Sequence, residues 1–445
     1  MTPPGAAAAT ATLPAGGATR PAWSRIGPWA LLAVSVAVYA TVSLLVFKQP
    51  FYVGARRLRF FDLHVYRGAA RVVLHGGALY AARVFSGMRF TYPPFAALVL
   101  TPTRLAAITT DGAGSCAINV LVLLALLRLT PRLTDPSVPG RHRVGTWPGV
   151  ALLGAVVLWS EPVTVAMGYG QIDLVIALLV VWDLSRPPGA RARGIGIGLA
   201  AGLKLTPLIF IPYLLLTRQR RTAATATLTF LATIAAAFAV VPTDTAHYWG
   251  GILLDASRTG DIADPTNQSV MGAIARLTHS QHVVAGWTLA ATVVAILGLS
   301  VAIRAGRRGD HGVGFAVCAI ASLLVSPISW THHWVLAIPA VLTLACWARQ
   351  NRAYSVSGAV AALAVAGYCY LPETVTAGLR LDPTGQILTE PYVILALAAV
   401  LCVAVAGGRR AAGVNRRPGP AGAGRPGVRD PRPPPAIPTG ADSRP

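Results

Sequence analysis

Asp62 lies in FFDLHVY (60–66), directly after the first apolar segment of membrane-crossing length, in a chain of 445 residues that holds only sixteen Asp and Glu. A carboxylate held near a membrane and partly shielded from water keeps its proton more tightly than one in solution, which suits it to accept a proton from a sugar hydroxyl. A surface carboxylate paired with Arg59 or Arg67 is the competing reading, since ion pairing also perturbs such groups. Lys204 interrupts GIGIGLAAGLKLTPLIFIPYLLL (194–216), where a charge costs roughly 2.5–3.5 kcal/mol on insertion scales. Its ammonium suits a lipid phosphate, or a buried carboxylate such as Asp173. SPISWTHHW (326–334) puts His332 and His333 at a helix end between Trp330 and Trp334. Neighbouring histidines point different ways on a helix, so they are poor joint metal ligands without other partners, but one suits phosphate binding or proton transfer while the other packs.

Hydroxyl-binding candidates surround these groups in the sequence. Asp62 and Tyr66 share one face of a helix and Arg67 and Arg71 another, with His64 between them. Tyr92 in RFTYPPF (89–95) suits stacking on a sugar or anchoring at the headgroup level. GYGQIDL (168–174) offers Gln171 and Asp173 to sugar hydroxyls, with helix capping as the other reading of Asp173. Asn267 and Gln268 of DPTNQSVMG (264–272), with HYW (247–249), supply amides and rings of the kind that meet a carbohydrate acceptor. Trp330 completes the candidates for sugar or acceptor contact.

These side chains need a membrane scaffold to hold them. Hydrophobic residues make up 54% of the chain and charged residues 12%, and repeated apolar stretches of spanning length exclude an ordinary soluble domain. The net charge of +22 falls in short Arg clusters between apolar segments and in a Pro-rich tail. It is therefore topological, and a nucleic-acid partner is not indicated. Residues 1–28 lack an apolar core of signal-peptide type and read as a disordered cytoplasmic leader. Trp29 to Phe47 reads as an uncleaved helix running inside to outside, which makes 48–92 an extracytoplasmic loop.

The basic stretches 128–143, 185–193, 218–221, 304–312 and 349–352 are placed in the cytoplasm by charge bias. The loops around 161–170, 242–282, 328–331 and 373–390 then face outside, and so does most of the acid. With 185–193 and 218–221 on one side, the intervening segment must cross twice and break at KLTP (204–207). The stretch 93–108 must be partial or re-entrant. Broken backbone at such depth is tolerated where it lines a protein-enclosed or hydrated cavity. The expectation is an all-α polytopic integral membrane protein with about eleven to thirteen hydrophobic helices around an outward-facing cavity over 29–408. A disordered Pro- and Arg-rich cytoplasmic tail follows over 409–445. The five cysteines, Cys116, Cys318, Cys346, Cys369 and Cys402, all fall in apolar helices and form no disulfide or metal pattern.

Taken in order, FDLHVYRGAARVVLHGGALY (61–80), FTYPPFAALVLTP (90–102), GYGQIDL, GLKLTPLIFIPYLLL, NQSVMG and SPISWTHHW resemble the actinobacterial glycosyltransferase family 87 over roughly 28–408. The resemblance implies a GT-C glycosyltransferase fold. It also implies transfer of mannose from polyprenyl-phosphate mannose to a glycolipid acceptor of the phosphatidylinositol mannoside or lipomannan type, usually in alpha-1,2 linkage. On this resemblance Asp62 corresponds to the essential carboxylate of the first outer loop, and His332 and His333 to an outer-face motif near the donor phosphate. The family often has Asn where this chain has Asp173, a departure that leaves the role of Asp173 open, a different acceptor being one explanation.

The chemistry agrees with the residues. A polyprenyl phosphate is a good leaving group, so the reaction needs a base for the acceptor hydroxyl and positive or hydrogen-bonding groups for the developing phosphate charge. Asp62 supplies the first, with His332 or His333 as rivals. Lys204, Arg67 and the remaining histidine are candidates for the second. Single displacement of a beta-linked donor gives an alpha-linked product, and DLH lacks the paired acids of a nucleotide-sugar metal site, so neither a metal nor another cofactor is expected. The expected location is the plasma membrane, with the site on the extracytoplasmic side among membrane lipids. The alternatives are transfer of another polyprenyl-phosphate sugar, such as arabinofuranose, and a lipid-sugar transporter or flippase; no internal repeat supports the transporter.

Overall fold

The computed structural model describes residues 23–45, 60–105, 107–134, 145–255, 258, 260–369 and 389–415. The expectations for 1–22, for the start of the first outer loop, for the connection at 135–144, for the outer loop over 373–388 and for the tail from 416 lie outside the described residues. In chain order, α1 (Trp23–Leu45) is followed by α2 (Phe61–Leu74), a two-stranded hairpin of β1 (Arg83–Phe85) with β2 (Met88–Arg89), and the short α3 (Pro94–Val99). Next come α4 (Ile108–Leu129), α5 (Trp147–Val157), α6 (Glu161–Tyr169), α7 (Asp173–Leu184), α8 (Ile195–Leu203) and α9 (Phe210–Leu216). The remaining helices are α10 (Arg220–Val240), α11 (Pro242–Gly250), α12 (Val270–Thr278), α13 (Val284–Arg307), α14 (His311–Val325), α15 (Ala337–Gln350), α16 (Tyr354–Cys369) and α17 (Pro391–Asn415).

The chain is a polytopic helical membrane protein. Among the described residues, five stretches are long and apolar enough to span a bilayer: Thr110–Leu133, Arg220–Val240, Val284–Arg307, Thr331–Gln350 and Pro391–Arg409. A sixth is formed if α5 and α6 are one span bent by 79°. The other apolar helices, Ile26–Thr41, Thr206–Leu216, His311–Val325 and Tyr354–Tyr368, are shorter. The full-length crossings are thus a subset of the hydrophobic helices among the described residues, as expected for a fold with broken and partial segments.

The expected break after α8 is present. Lys204 is extended at φ −155°, and a 3₁₀ turn over Thr206–Ile209 leads into α9. The segment after residue 93 is likewise partial, consisting of α3 and a 3₁₀ turn over Thr101–Arg104. Other boundaries differ from the apolar pattern. α1 starts at Trp23 rather than at Trp29, α17 continues past Arg409 to Asn415, and α11 and α12 lie within the stretch expected as an outer loop.

Burial separates an outer ring from an inner group. Only 22% of the apolar window of α10, and the same share of α13, is buried, against 67% for the span that contains α15. The poorly buried helices present apolar faces of the kind lipid covers. One core cluster runs through the inner group, including Tyr66, Phe90, Leu174, Val180, Phe210, Phe315, Val335 and Tyr392. Helices in lipid pack through small residues. At Gly198 a Cβ would lie 2.6 Å from the Ala226 carbonyl of α10, and at Gly202 it would run into the Thr233 side chain, so α8 and α10 pack closely.

The helix pair α7 and α8 fixes two opposite ends. At one end Asp183 accepts hydrogen bonds from the Gly194 N–H at 2.7 Å and the Ile197 N–H at 3.0 Å, which caps the start of α8. Arg193 lies between Asp183 and Tyr213, whose hydroxyl donates to the His311 carbonyl and packs against Gly306; beside it Arg307 Nε donates to the Leu216 carbonyl at 3.1 Å, and Arg308 to the Gly407 carbonyl at 2.9 Å. The basic stretches therefore gather there. Twelve residues of α7 then rise about 18 Å to Asp173 at the other end, where Lys204 closes α8.

Candidate active site

The first turn of α2 is seated on the GYG turn. Phe60, left-handed at φ 55°, precedes the helix, and its N–H donates to the Gly168 carbonyl at 2.9 Å. Gly170 ends α6 at φ +70°, and a Cβ there would lie 2.8 Å from the Leu63 Cβ. Gly170 is required both by its left-handed backbone and by this close approach, and the result places Asp62 beside Gln171.

Asp62 hydrogen-bonds the Gln171 side chain and feels the charges of Asp173 and Lys204. The residue is half-buried by surface area while protein closely surrounds its carboxyl, an arrangement that fits the wall of a narrow cleft. Burial is the main cause that pushes the carboxyl up to about 7, opposed by the Gln171 hydrogen bond. A proton affinity near neutrality suits a general base. Tyr66 and Tyr92 converge on the other side of the amide. Tyr92 Oη lies 3.2 Å from Gln171 Oε1, Tyr66 Oη also donates to that oxygen, and the two hydroxyls are 3.1 Å apart. Burial raises both phenols well above their usual range, so both stay protonated donors.

A second group of charges adjoins the first. Lys204 Nζ lies 2.6 Å from Asp173 Oδ1 and 5.7 Å from the centre of the Tyr92 ring. His332 Nε2 is 3.2 Å from Gln171 Nε2, and the His332 and His333 rings meet edge to face at 4.7 Å. The His333 ring also bonds the Ile328 carbonyl, leaving its Nδ1 buried without a hydrogen-bond partner. Asp173, His332 and His333 offer ligand atoms within 4.8 Å of one another, a donor set a divalent ion accepts. The Lys204 ammonium already stands against Asp173, so the protein supplies a cation to this cluster itself.

Eight of the residues singled out from the sequence thus come together: Asp62, Tyr66, Tyr92, Gln171, Asp173, Lys204, His332 and His333. The others are placed elsewhere. Arg67, expected at a donor phosphate, is committed to an ion pair with Asp111 and a hydrogen bond to the Thr103 carbonyl, because i+5 from Asp62 turns it off that residue's face. His64 stacks flat on Phe85 of the hairpin at 4.4 Å.

Asn267 and Gln268 are fully buried. Asn267 donates to the Ile262 carbonyl and accepts from the Ser329 N–H, each at 2.9 Å, and pairs as a bridge with Trp330. Gln268 donates to the Thr389 carbonyl at 2.7 Å and accepts from the Tyr392 N–H at 3.1 Å. Their amides tie the loop before the histidines to the segments around Ile262 and Thr389, because buried backbone groups there have no water to bond.

Sequence reasoning missed the groups that brace this loop assembly. Arg276 makes a two-pronged ion pair with Glu390, 2.5 Å from Nη2 to Oε2, and donates to the Asp264 and Asn267 carbonyls. Tyr392 Oη donates to Glu161 at 2.5 Å, and Asn119 Nδ2 donates to the Gln171 carbonyl at 3.2 Å. The available signal was a lone polar residue in an apolar run, as for Asn119 in AINVLVLLALL (117–127).

A family model described as glycosyltransferase family 87 matches residues 90–327, more than half of the chain, including Tyr92, Gln171, Asp173 and Lys204 of the cluster. The chain belongs to glycosyltransferase family 87. It is therefore a glycosyltransferase. A Mycobacterium tuberculosis relative, named polyprenol-phosphate-mannose-dependent alpha-(1-2)-phosphatidylinositol mannoside mannosyltransferase, is 33% identical over 313 residues, covering 66% of this chain and 73% of its own. A protein of the same name from Mycolicibacterium smegmatis is 34% identical over 319 residues, with 65% and 71% covered. Another M. tuberculosis relative, whose name specifies the pentamannoside, is 33% identical over 299 residues, with 66% and 68% covered. No solved structure matches the chain. In this family member, Asp62 and the Lys204–histidine group stand side by side, so a hydroxyl and a phosphate ester bound between them would meet a base and a set of cationic or donor groups.

Proposed function

We propose that this glycosyltransferase moves mannose from polyprenyl-phosphate mannose to a lipid-linked mannoside of the phosphatidylinositol mannoside or lipomannan type, forming an alpha-1,2 linkage by inverting displacement at the outer face of the plasma membrane. The names of the relatives support the donor and acceptor classes. The observation that carries the reading is the convergence of Asp62, with its near-neutral proton affinity, on the Lys204–Asp173 pair and the two histidines.

Asp62 takes the proton as the acceptor hydroxyl oxygen bonds to the anomeric carbon. The bond from that carbon to the phosphate oxygen breaks, and its electron pair leaves with the polyprenyl phosphate. Lys204 stabilises the charge that collects on the phosphate. A beta-linked donor then yields an alpha-linked product. The opposition of the two ends supports the outer side: the basic connections gather at the Asp183 end, which charge bias assigns to the cytoplasm, and the cluster lies at the other end.

The test uses membranes carrying the wild type or Asp62→Asn, given radiolabelled polyprenyl-phosphate mannose and phosphatidylinositol mannoside acceptors. Labelled glycolipid from the wild type, sensitive to an alpha-1,2-mannosidase and reduced about 10²–10⁴-fold in the variant, is expected. Equal product from both sinks the role of Asp62, and no product from either sinks the donor and acceptor assignment.

A further inference from the structure

We infer that Gln171 is a positioning residue that aims the Asp62 carboxylate and fixes the tautomer of His332, rather than a group that binds sugar. The inference rests on the reading of Asp62 as the base.

A glutamine amide has two donor hydrogens and one oxygen with two acceptor sites. Here all are engaged inside the protein. Oε1 faces the hydroxyls of Tyr66 and Tyr92. Nε2 faces His332 Nε2 at 3.2 Å and the Asp62 carboxylate. The backbone is held equally firmly: the Gln171 N–H donates to the Ala166 carbonyl at 2.9 Å, and its carbonyl accepts from Asn119. The side chain is 3% exposed, which leaves no polar atom for a substrate hydroxyl.

The orientation of the amide follows from its neighbours. Swapping oxygen and nitrogen would set Oε1 against the Asp62 carboxylate, a contact between two acceptors. Two phenols that remain protonated donors favour the oxygen on their own side. With the nitrogen toward His332, one N–H must enter the Nε2 lone pair, so that imidazole is neutral and carries its proton on Nδ1. His332 Nε2 is then unavailable as a base, which removes it as a rival to Asp62.

Loss of the amide would also be legible in the pH dependence. The charged and titratable groups that act on Asp62 are Asp173 and Lys204 from the ends of α7 and α8, Tyr92 before α3, and Tyr66 on its own helix, with His332 beyond Gln171. A hydrogen bond donated to a carboxylate favours the charged form. Removing it shifts the acid limb of kcat/KM upward by about one pH unit or more.

The experiment compares the wild type with Gln171→Met, which fills similar volume without hydrogen bonds, and Gln171→Glu, which keeps the shape and opposes Asp62 with a second carboxyl. Asn119→Ala, which loosens the same backbone without touching Asp62, serves as the control. Both Gln171 variants are expected to lose kcat with little change in KM and to move the acid limb upward, while Asn119→Ala leaves the limb in place. If Gln171→Met does not fold, Gln171→Glu carries the same readout. A raised KM with an unmoved limb, or a limb that moves as far in Asn119→Ala, overturns the inference. Full turnover in Asp62→Asn defeats the base assignment itself, whereas an inactive Asp62→Asn with an unmoved Gln171 limb defeats only the positioning role.

Discussion

Asp62 has opposite effects on turnover and on stability. A base that loses its proton near pH 7 works above that value, so kcat/KM is expected to rise about tenfold per unit below pH 7 and to level off above it. The folded carboxyl holds its proton more tightly than the unfolded one, at about 7 against about 4. Between those values the native state binds more protons, and stability falls as pH rises. Asp62→Asn escapes that cost. It is expected to melt at a higher temperature than the wild type at pH 8, with the gap closing toward pH 4, and a scan at the two pH values checks it.

Lys204 and Asp173 separate the same two quantities. Lys204→Gln leaves a buried carboxylate without its partner, and breaking such a pair costs about 3–5 kcal/mol. Adding Asp173→Asn should restore most of the melting temperature but not the activity, about 10²–10³-fold down from the lost phosphate contact. The chemistry of both residues was legible in the sequence because a charge beside apolar runs stands out. The commitment of Arg67 to Asp111 was not, because a pairing across two helices leaves no trace in local spacing.

At the scale of elements, the seat of α2 on the turn between α6 and α7 decides where the base stands. Gly170→Ala meets the Leu63 Cβ at 2.8 Å and demands a left-handed backbone from a residue with a side chain. The variant should lose about 1–2 kcal/mol from the backbone alone and a larger fraction of kcat, because the clash pushes Asp62 away from Gln171. Melting and turnover measured on one preparation separate the two effects. The break after α8 and the partial helix after residue 93 could be read from charge bias and prolines, since each segment had to start and end on a given side. The amides of NQS could not be placed that way. Their partners are backbone atoms of loops far along the chain, and only the fold shows that a motif suited to sugar braces the histidine loop instead.

Across the whole molecule, the outer helices show apolar faces to their surroundings while shorter inner ones carry the polar work. Hydropathy found both kinds but not their layering, because a buried apolar helix and a lipid-facing one have the same composition. One consequence concerns the bilayer itself. α7 is a ruler twelve residues long, about 18 Å, between the arginine-rich end and the cluster, whereas a typical hydrocarbon core is about 30 Å thick. If the arginine-rich end sits at one bilayer surface and the proposed reaction occurs at the cluster, the reacting carbon is met below the headgroups, at a depth set by protein length rather than by the membrane. Vesicles of graded acyl-chain length should show an optimum in KM for both lipid substrates, with kcat much less affected; a KM indifferent to thickness would place the reaction at the water surface.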